Sequence, residues 1–355
     1  MKIAIVCNYE LLPERVGGMD YFFWEFDKKC KQNSIQVDWF FPNKSQHGNY
    51  PQLHIISSDY KEVEHFFADY MQTTSIKYDK IMMHFVELCT AVFKSIKQNS
   101  KAEIIVIDHN PRPLNGYSIK KKIKKKLKGF LYSKYIDKFI GVSKYTENEI
   151  LKDFGNHLRN KTQTIYNGVI INDIIKREKR NCTQPTFLVA SHLRKSKGIQ
   201  DLVSAIALLP NDIKSEIVID IYGDGPYKTT LLEKVKREKV AKNFNFKGSK
   251  SNLKDIFHNY DYMIQPTHME CFSLSILESL AANVPVITTN VGGNEEVITH
   301  AENGFIVPAK NVNSLKKLLE EIILGNKSIT VDTRSLIEHN YSLDKMVENY
   351  YRLLL

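Results

Sequence analysis

No stretch of this 355-residue chain approaches the roughly 18 consecutive apolar residues that a membrane-spanning helix needs. Cysteine is scarce and scattered. Cys7, Cys30, Cys89, Cys182 and Cys271 show no metal-ligand spacing, and their scatter suits a reducing cytoplasm. No G-x-G-x-x-G follows the first strand-like run, so a dinucleotide cofactor has no support. No Asp-x-Asp pair follows a strand in a place suited to a metal, so the chemistry is expected to be metal-independent. Internal repeats are absent, and a lysine cluster is the only biased tract. The opening run Met1–Asn8 reads as one buried strand, too short and too soon polar for a signal peptide.

What is present fits a soluble globular enzyme: 43% hydrophobic and 25% charged residues, with length enough for two domains. The net charge is +10, and Lys120, Lys121, Lys122, Lys124, Lys125, Lys126 and Lys128 supply seven of it, leaving +3 elsewhere. Such a patch implies a specific partner.

The first half alternates strand and helix signals. Strands are predicted at Lys2–Cys7, Gln36–Phe41, Lys80–His84, Glu103–Asp108, Lys138–Val142 and Thr162–Ile165, with helices at Met19–Asn33, Val86–Asn99 and Tyr145–Phe154 between them. Asn43–Tyr60 and Pro111–Tyr117 read as variable loops. A polar run, Asn172–Pro185, reads as a linker, after which the alternation restarts and closes with a helix from about Leu343. The expectation is α/β throughout: two Rossmann-like doubly wound domains facing a cleft. The boundaries are 1–170, a linker at 171–185, and 186–335, with a helix over about 336–355 crossing back to the first domain.

The richest segment is Glu270-Cys-Phe-Ser-Leu-Ser-Ile-Leu-Glu278. It follows a strand-like run, Asp261–Thr267, and precedes another, Val286–Thr289. A helix start at the carboxyl edge of a parallel sheet offers unpaired N–H groups and a positive dipole end, which hold a diphosphate. Glu270 falls in the loop beside that end and Glu278 one to two turns further on. Ser275-x-x-Glu278 equally fits a capping box. Lys197-Gly198 follows the first strand of the second half, where a lysine can neutralise a leaving diphosphate. Gly17-Gly18 and Gly248 allow close approach of backbone to a ligand, or plain turns. Gly223-Asp-Gly-Pro226 reads as a structural turn. His109 ends a first-half strand, with Asp108 beside it; a capping or core role is its ordinary alternative.

The order of these motifs resembles the family-four (group 1) retaining glycosyltransferases of the GT-B fold. The match runs through Gln265-Pro-Thr-His-Met-Glu270, Phe272, Glu278, Ala281-Ala282, Pro285-Val286 and Gly292-Gly293-x-x-Glu296, with Ile221–Pro226, Val142-Ser143 and Ile165–Val169 upstream. The resemblance implies a nucleoside-diphosphate sugar as donor, UDP favoured, and no cofactor. It implies catalytic roles for Glu270, Lys197 and His109. Donor contacts are implied for Gly17, Gly18, Arg194, Gly248, Cys271, Phe272, Ser273, Leu274 and Glu278, with Ser273 able to cap the helix. Relatives carry R-x4-K where this chain has His192 and Lys197, which leaves the arginine's role open between His192 and Arg194 two residues on. Relatives commonly have Gly at the place of Ser273.

Ile119, Ile123, Leu127, Phe130 and Leu131 share one helical face, with lysines opposite. This profile suits a helix lying on an anionic membrane, with Lys120, Lys121, Lys124, Lys125 and Lys128 as contacts, or one that buries its apolar face in the domain core. No aromatic platform is interleaved for nucleic acid. The combined expectation is a glycosyltransferase at the cytoplasmic face of the membrane, acting on a glycan or lipid-linked acceptor in envelope polysaccharide or glycolipid synthesis. The alternatives are a nucleotide-sugar epimerase of similar fold and a catalytically silent membrane-binding scaffold.

Overall fold

The computed structural model describes all residues except Cys182 and Ser251, and the side chain of Arg15. The chain divides into two units: Met1–Asn167 with Leu343–Leu355, and Gly168–Ser342.

The first unit is built on a seven-stranded parallel sheet: β1 (Lys2–Cys7), β2 (Gln36–Phe41), β3 (His54–Ser57), β4 (Lys80–His84), β5 (Glu103–Asp108), β6 (Lys138–Gly141) and β7 (Thr162–Thr164). Its order is β3-β2-β1-β4-β5-β6-β7, so the winding reverses between β1 and β4. Central strands such as KIAIVC and EIIVID are apolar because helices cover both faces. The short edge strand β3 lies inside the run expected as a loop; none of its four residues is fully buried, and only Ile56 is among the hydrophobics packed against the core. The helix expected over Val86–Asn99 starts only at Ala91, because Phe85 and Cys89 take left-handed φ of 59° and 56°.

The segment Leu343–Leu355 packs on this unit. The Tyr350 ring lies 4.9 Å from that of Phe22, and Lys80 Nζ donates to the Leu353 carbonyl at 2.7 Å. The helix just before it, Arg334–Asn340, stays with the second unit, where Arg334 donates to the carbonyls of Ile171, Ile174 and Ala281.

The second unit holds six parallel strands: β8 (Phe187–Ala190), β9 (Ile219–Tyr222), β10 (Phe244–Gly248), β11 (Tyr262–Gln265), β12 (Val286–Thr289) and β13 (Gly304–Val307), in the order β10-β9-β8-β11-β12-β13. The reversal here lies between β8 and β11. The polar run before β8 does not hang free. Arg177 pairs with the fully buried Asp261 at 2.6 Å, and Arg180 donates to Asn283 and to the Ile329 and Val331 carbonyls. Cys182, within that run, lies outside the described residues.

Candidate functional site

A crevice forms at the carboxyl ends of parallel strands wherever their order reverses. In the second unit the two loops at that point are 191–198, after β8, and 266–273, after β11. They are pressed together. Gly198 has φ +71°, and a Cβ on it would sit 1.7 Å from the Pro266 carbonyl oxygen, so only glycine fits. The His268 N–H donates to the Ser196 carbonyl at 2.7 Å, and His268 Nε2 lies 2.6 Å from Asp201 Oδ2. This clamp sets Lys197 Nζ 2.8 Å from Glu270 Oε2, with the two side chains 22% and 15% exposed. The pair is open enough for a ligand to reach. Glu270 Oε1 also accepts from the Cys271 N–H at 3.2 Å.

A third loop closes on the same place. Gly292, at φ +61°, would put a Cβ 2.1 Å from the Glu270 carbonyl oxygen, and the Gly293 N–H donates to the Cys271 carbonyl at 2.8 Å. The side chains of Cys271 and Phe272 are buried, Phe272 against the Tyr341 ring, so any ligand contact by either is through backbone.

The helix Leu274–Ala281 begins here with Ser273 at its N-cap position, but the hydroxyl caps nothing. Gln265 Nε2 donates to Ser273 Oγ at 2.9 Å and to Ser275 Oγ at 3.0 Å, drawing both hydroxyls toward the sheet. The expected Ser273 cap and the Ser275–Glu278 capping box are therefore both absent, and Ser275 lies inside the helix. The first N–H groups of the helix have no side-chain acceptor among the described residues, which leaves a positive helix end beside a lysine. Glu278 is half-buried, its carboxyl makes no hydrogen bond among the described residues, and burial pushes its pKa up to about 7. Among the described residues, the buried Gln265 Oε1 and Asn294 Oδ1 also lack partners. Sequence reasoning passed over His268, Asp201 and the Gln265 amide, whose roles depend on loops meeting in space.

Arg194 is exposed and makes no side-chain hydrogen bond or ion pair among the described residues. Gly248 has φ +71°, and beyond its chain neighbours nothing among the described residues lies within 4 Å of its Cβ position. By contrast, Cβ atoms on Gly223 and Gly225 would meet the Ser191 and Leu193 carbonyl oxygens at 1.9 and 2.5 Å, so that turn is structural.

Residues 171–335 match the family model of glycosyl transferases group 1. The second unit is a group 1 glycosyltransferase domain. Among curated relatives, the N-acetyl-alpha-D-glucosaminyl L-malate synthase of Bacillus anthracis is 26% identical over 53% of this chain and 52% of its own. An uncharacterized glycosyltransferase of Methanocaldococcus jannaschii is 29% identical over 57% and 55%. The matched stretch thus spans about half the length of these relatives. The Anabaena HepE structure with UDP and glucose superposes at a TM-score of 0.76, covering 100% of this chain and 99% of that one at 15% identity. The chain takes the GT-B fold.

In the first unit, Gly17 is the N-cap of the helix Gly18–Gln32, and its N–H donates to the buried Asp20 at 2.9 Å. Asp20 also accepts from the hydroxyls of Tyr9 at 2.9 Å and Tyr50 at 2.5 Å. Beyond its chain neighbours, no described atom lies within 4 Å of a Gly17 Cβ position. His109 stacks on Phe85 with ring centres 4.1 Å apart, and its Nε2 lies 3.2 Å from Nδ1 of the fully buried His84. Burial lowers the His109 pKa to about 3, and burial together with His109 holds His84 well below its usual value. Both rings are neutral. Asp108 holds the following loop through the buried Arg112, which also pairs with Asp153 at 2.8 Å.

The helix Ile119–Tyr132 carries its apolar residues outward: Ile119 and Phe130 are 77% and 78% exposed, and Ile123, Leu127 and Leu131 at least half. Lys120, Lys122, Lys124 and Lys126 flank that stripe, while Lys121, Lys125 and Lys128 lie opposite it. The side chain of Lys125 turns into the unit against Asp153 at 2.9 Å, and Lys128 bonds Glu87 at 2.6 Å, so neither is a free membrane contact as expected. Lys120, Lys121 and Lys124 remain exposed. Among the described residues, no helix is long and apolar enough to cross a membrane.

Proposed function

We propose that the protein transfers a sugar from a nucleoside-diphosphate sugar, UDP favoured, to a glycan or lipid-linked acceptor with retained anomeric configuration. The observation that carries this is the Lys197–Glu270 pair beside an uncapped helix start. Glu270 binds sugar hydroxyls and orients the anomeric carbon. Lys197 and the N–H groups near Ser273 and Leu274 neutralise the diphosphate as its bond to the sugar breaks. The acceptor hydroxyl attacks from the same face and loses its proton to the departing phosphate, so no protein nucleophile and no metal ion is required. Turnover should therefore survive EDTA. Glu278 takes the ribose hydroxyls and Gly248 the base edge; Arg194 serves as the family arginine. His109, Gly17 and Gly18 are ligand contacts from the first unit. The names of the relatives support a hexosyl or N-acetylhexosaminyl donor, and UDP in the Anabaena structure supports the base.

The exposed apolar stripe flanked by lysines supports peripheral binding to the inner face of an anionic membrane, where a lipid-linked envelope acceptor resides. Sedimentation with anionic but not neutral vesicles is the expected result.

The deciding experiment is a metal-free screen of UDP-, GDP- and ADP-sugars for binding and slow hydrolysis. One donor should be hydrolysed by the wild type and not by Glu270→Ala. If no nucleotide binds, a scaffold function replaces this reading.

A further inference from the structure

The basic helix borders an open hollow of about 270 Å³, lined by Lys120, Lys121, Lys124, Lys125 and Lys128 with Ser118 and Glu87. Five lysines against one glutamate leave its lining strongly positive. Glu87 is already matched by Lys128, and Lys125 by Asp153. Lys120 and Lys124 make no hydrogen bond or ion pair among the described residues. The arrangement works against the helix itself. Lys120, Lys124 and Lys128 repeat at four-residue spacing, where like charges destabilise a helix. The first turn contains no acidic residue to meet the positive dipole end, and Ser118 is the only side-chain cap. A bound anion would relieve both defects at once.

We propose that this hollow is a phosphate site, taking a mono- or diphosphate group either as the headgroup of an anionic lipid or as a free phosphate compound. It is separate from the apolar stripe, whose side chains enter the bilayer rather than hold a phosphate, and from the Lys197 site, which lies on the other unit. Lys120 and Lys124 are the residues that close on the phosphate, while Lys121 and Lys125 are held over the Tyr117 ring at 4.2 and 4.7 Å and form its wall. The reading is independent of the transferase proposal and rests on the membrane proposal only for its lipid source.

The test uses the full chain and two double variants, Lys120→Ala/Lys124→Ala in the hollow and Lys122→Ala/Lys126→Ala on the same helix outside it. All four side chains are exposed, so folding should be unaffected, and a thermal melt checks this. Pyrophosphate is titrated by calorimetry, with Lys197→Ala alongside to identify heat from the donor site. A loss of about tenfold or more in affinity in the first variant, and about twofold or less in the second, supports a site open to free phosphate. Vesicles of phosphatidylcholine with and without phosphatidic acid form the second arm. Retention on phosphatidic acid that fails only in the first variant, with no pyrophosphate binding, supports a lipid headgroup. Equal losses in both variants, or no phosphate-dependent binding in either arm, overturn the proposal. Pyrophosphate binding that vanishes in Lys197→Ala but survives in Lys120→Ala/Lys124→Ala belongs to the donor site and likewise counts against the hollow.

Discussion

Lys197 and Glu270 stand 73 positions apart in the chain, and their side chains meet at 2.8 Å where the strand order of the second unit reverses. The pair is partly exposed, so its net contribution to stability is small, about 0–1 kcal/mol. Its arrangement beside an uncapped helix end instead suits a reaction in which charge develops on a leaving diphosphate.

Replacing either partner should therefore cost turnover far more than stability. Lys197→Ala and Glu270→Ala are each expected to lower kcat about 10²- to 10³-fold, with Tm nearly unchanged. The double variant should lose less than the product of the single losses, since the groups act on one bond. Initial rates and melts of the three variants test this; a loss of folding that tracks the loss of rate would make the pair structural.

Gly198 offers the opposite test. Its left-handed φ and the Pro266 carbonyl 1.7 Å from its Cβ position leave no room for a methyl group. Gly198→Ala should destabilise the second unit by about 2 kcal/mol or more and displace Lys197 with it. Denaturant titration gives the stability, and nucleotide binding should weaken in parallel. An alanine variant with wild-type stability would show that the loops are less tightly clamped than this geometry requires.

Much of this was legible in the residues. Mostly apolar runs such as EIIVID or KIAIVC suit strands covered on both sides, and their alternation with helical segments pointed to two doubly wound sheets. Glu270, Lys197 and Gly198 were legible because a loop after a strand and before a helix has a fixed place at the sheet edge. The gaps have physical causes. An uncapped Ser273 depends on Gln265 reaching it from β11, a distance that no local pattern encodes. The outward-facing apolar stripe of the basic helix has the same periodicity as a buried one. The ion pairs of Lys125 and Lys128 with Asp153 and Glu87, and the buried Gly129 against the Phe154 carbonyl, show which side faces the unit.

The His84–His109 pair should make the first unit acid-sensitive. In the unfolded chain both imidazoles take up protons near pH 6.5, whereas in the folded unit His109 holds out to about 3 and His84 resists protonation as well. The unfolded state thus binds more protons in that window. The stability these neutral rings allow is complete above about pH 6.5 and falls as pH drops below it, by up to about 1.4 kcal/mol per pH unit for each histidine. Urea titrations at about pH 7.5 and pH 5 should show the loss, and His109→Asn should reduce it. An equal pH dependence in wild type and variant would sink this assignment.

Glu278 runs the other way. Its folded pKa of about 7 lies above the usual 4.5 because burial disfavours the charged form and nothing pairs with it. As pH rises from about 4.5 to 7 the unfolded chain releases this proton first, so the folded state is progressively penalised and the cost is complete above about pH 7. Partial exposure limits it to about 2 kcal/mol. Glu278→Gln keeps the shape without the charge, so it should be more stable than wild type by about that amount near pH 8 and equal to it near pH 4.5. If the carboxylate is retained to accept from ribose hydroxyls, the same variant should bind UDP several-fold more weakly, because an ionised acceptor makes the stronger hydrogen bond. Melting curves and UDP titrations at the two pH values measure both effects on one protein. A gain in stability with no loss of UDP affinity would leave the buried carboxyl without a role in nucleotide binding.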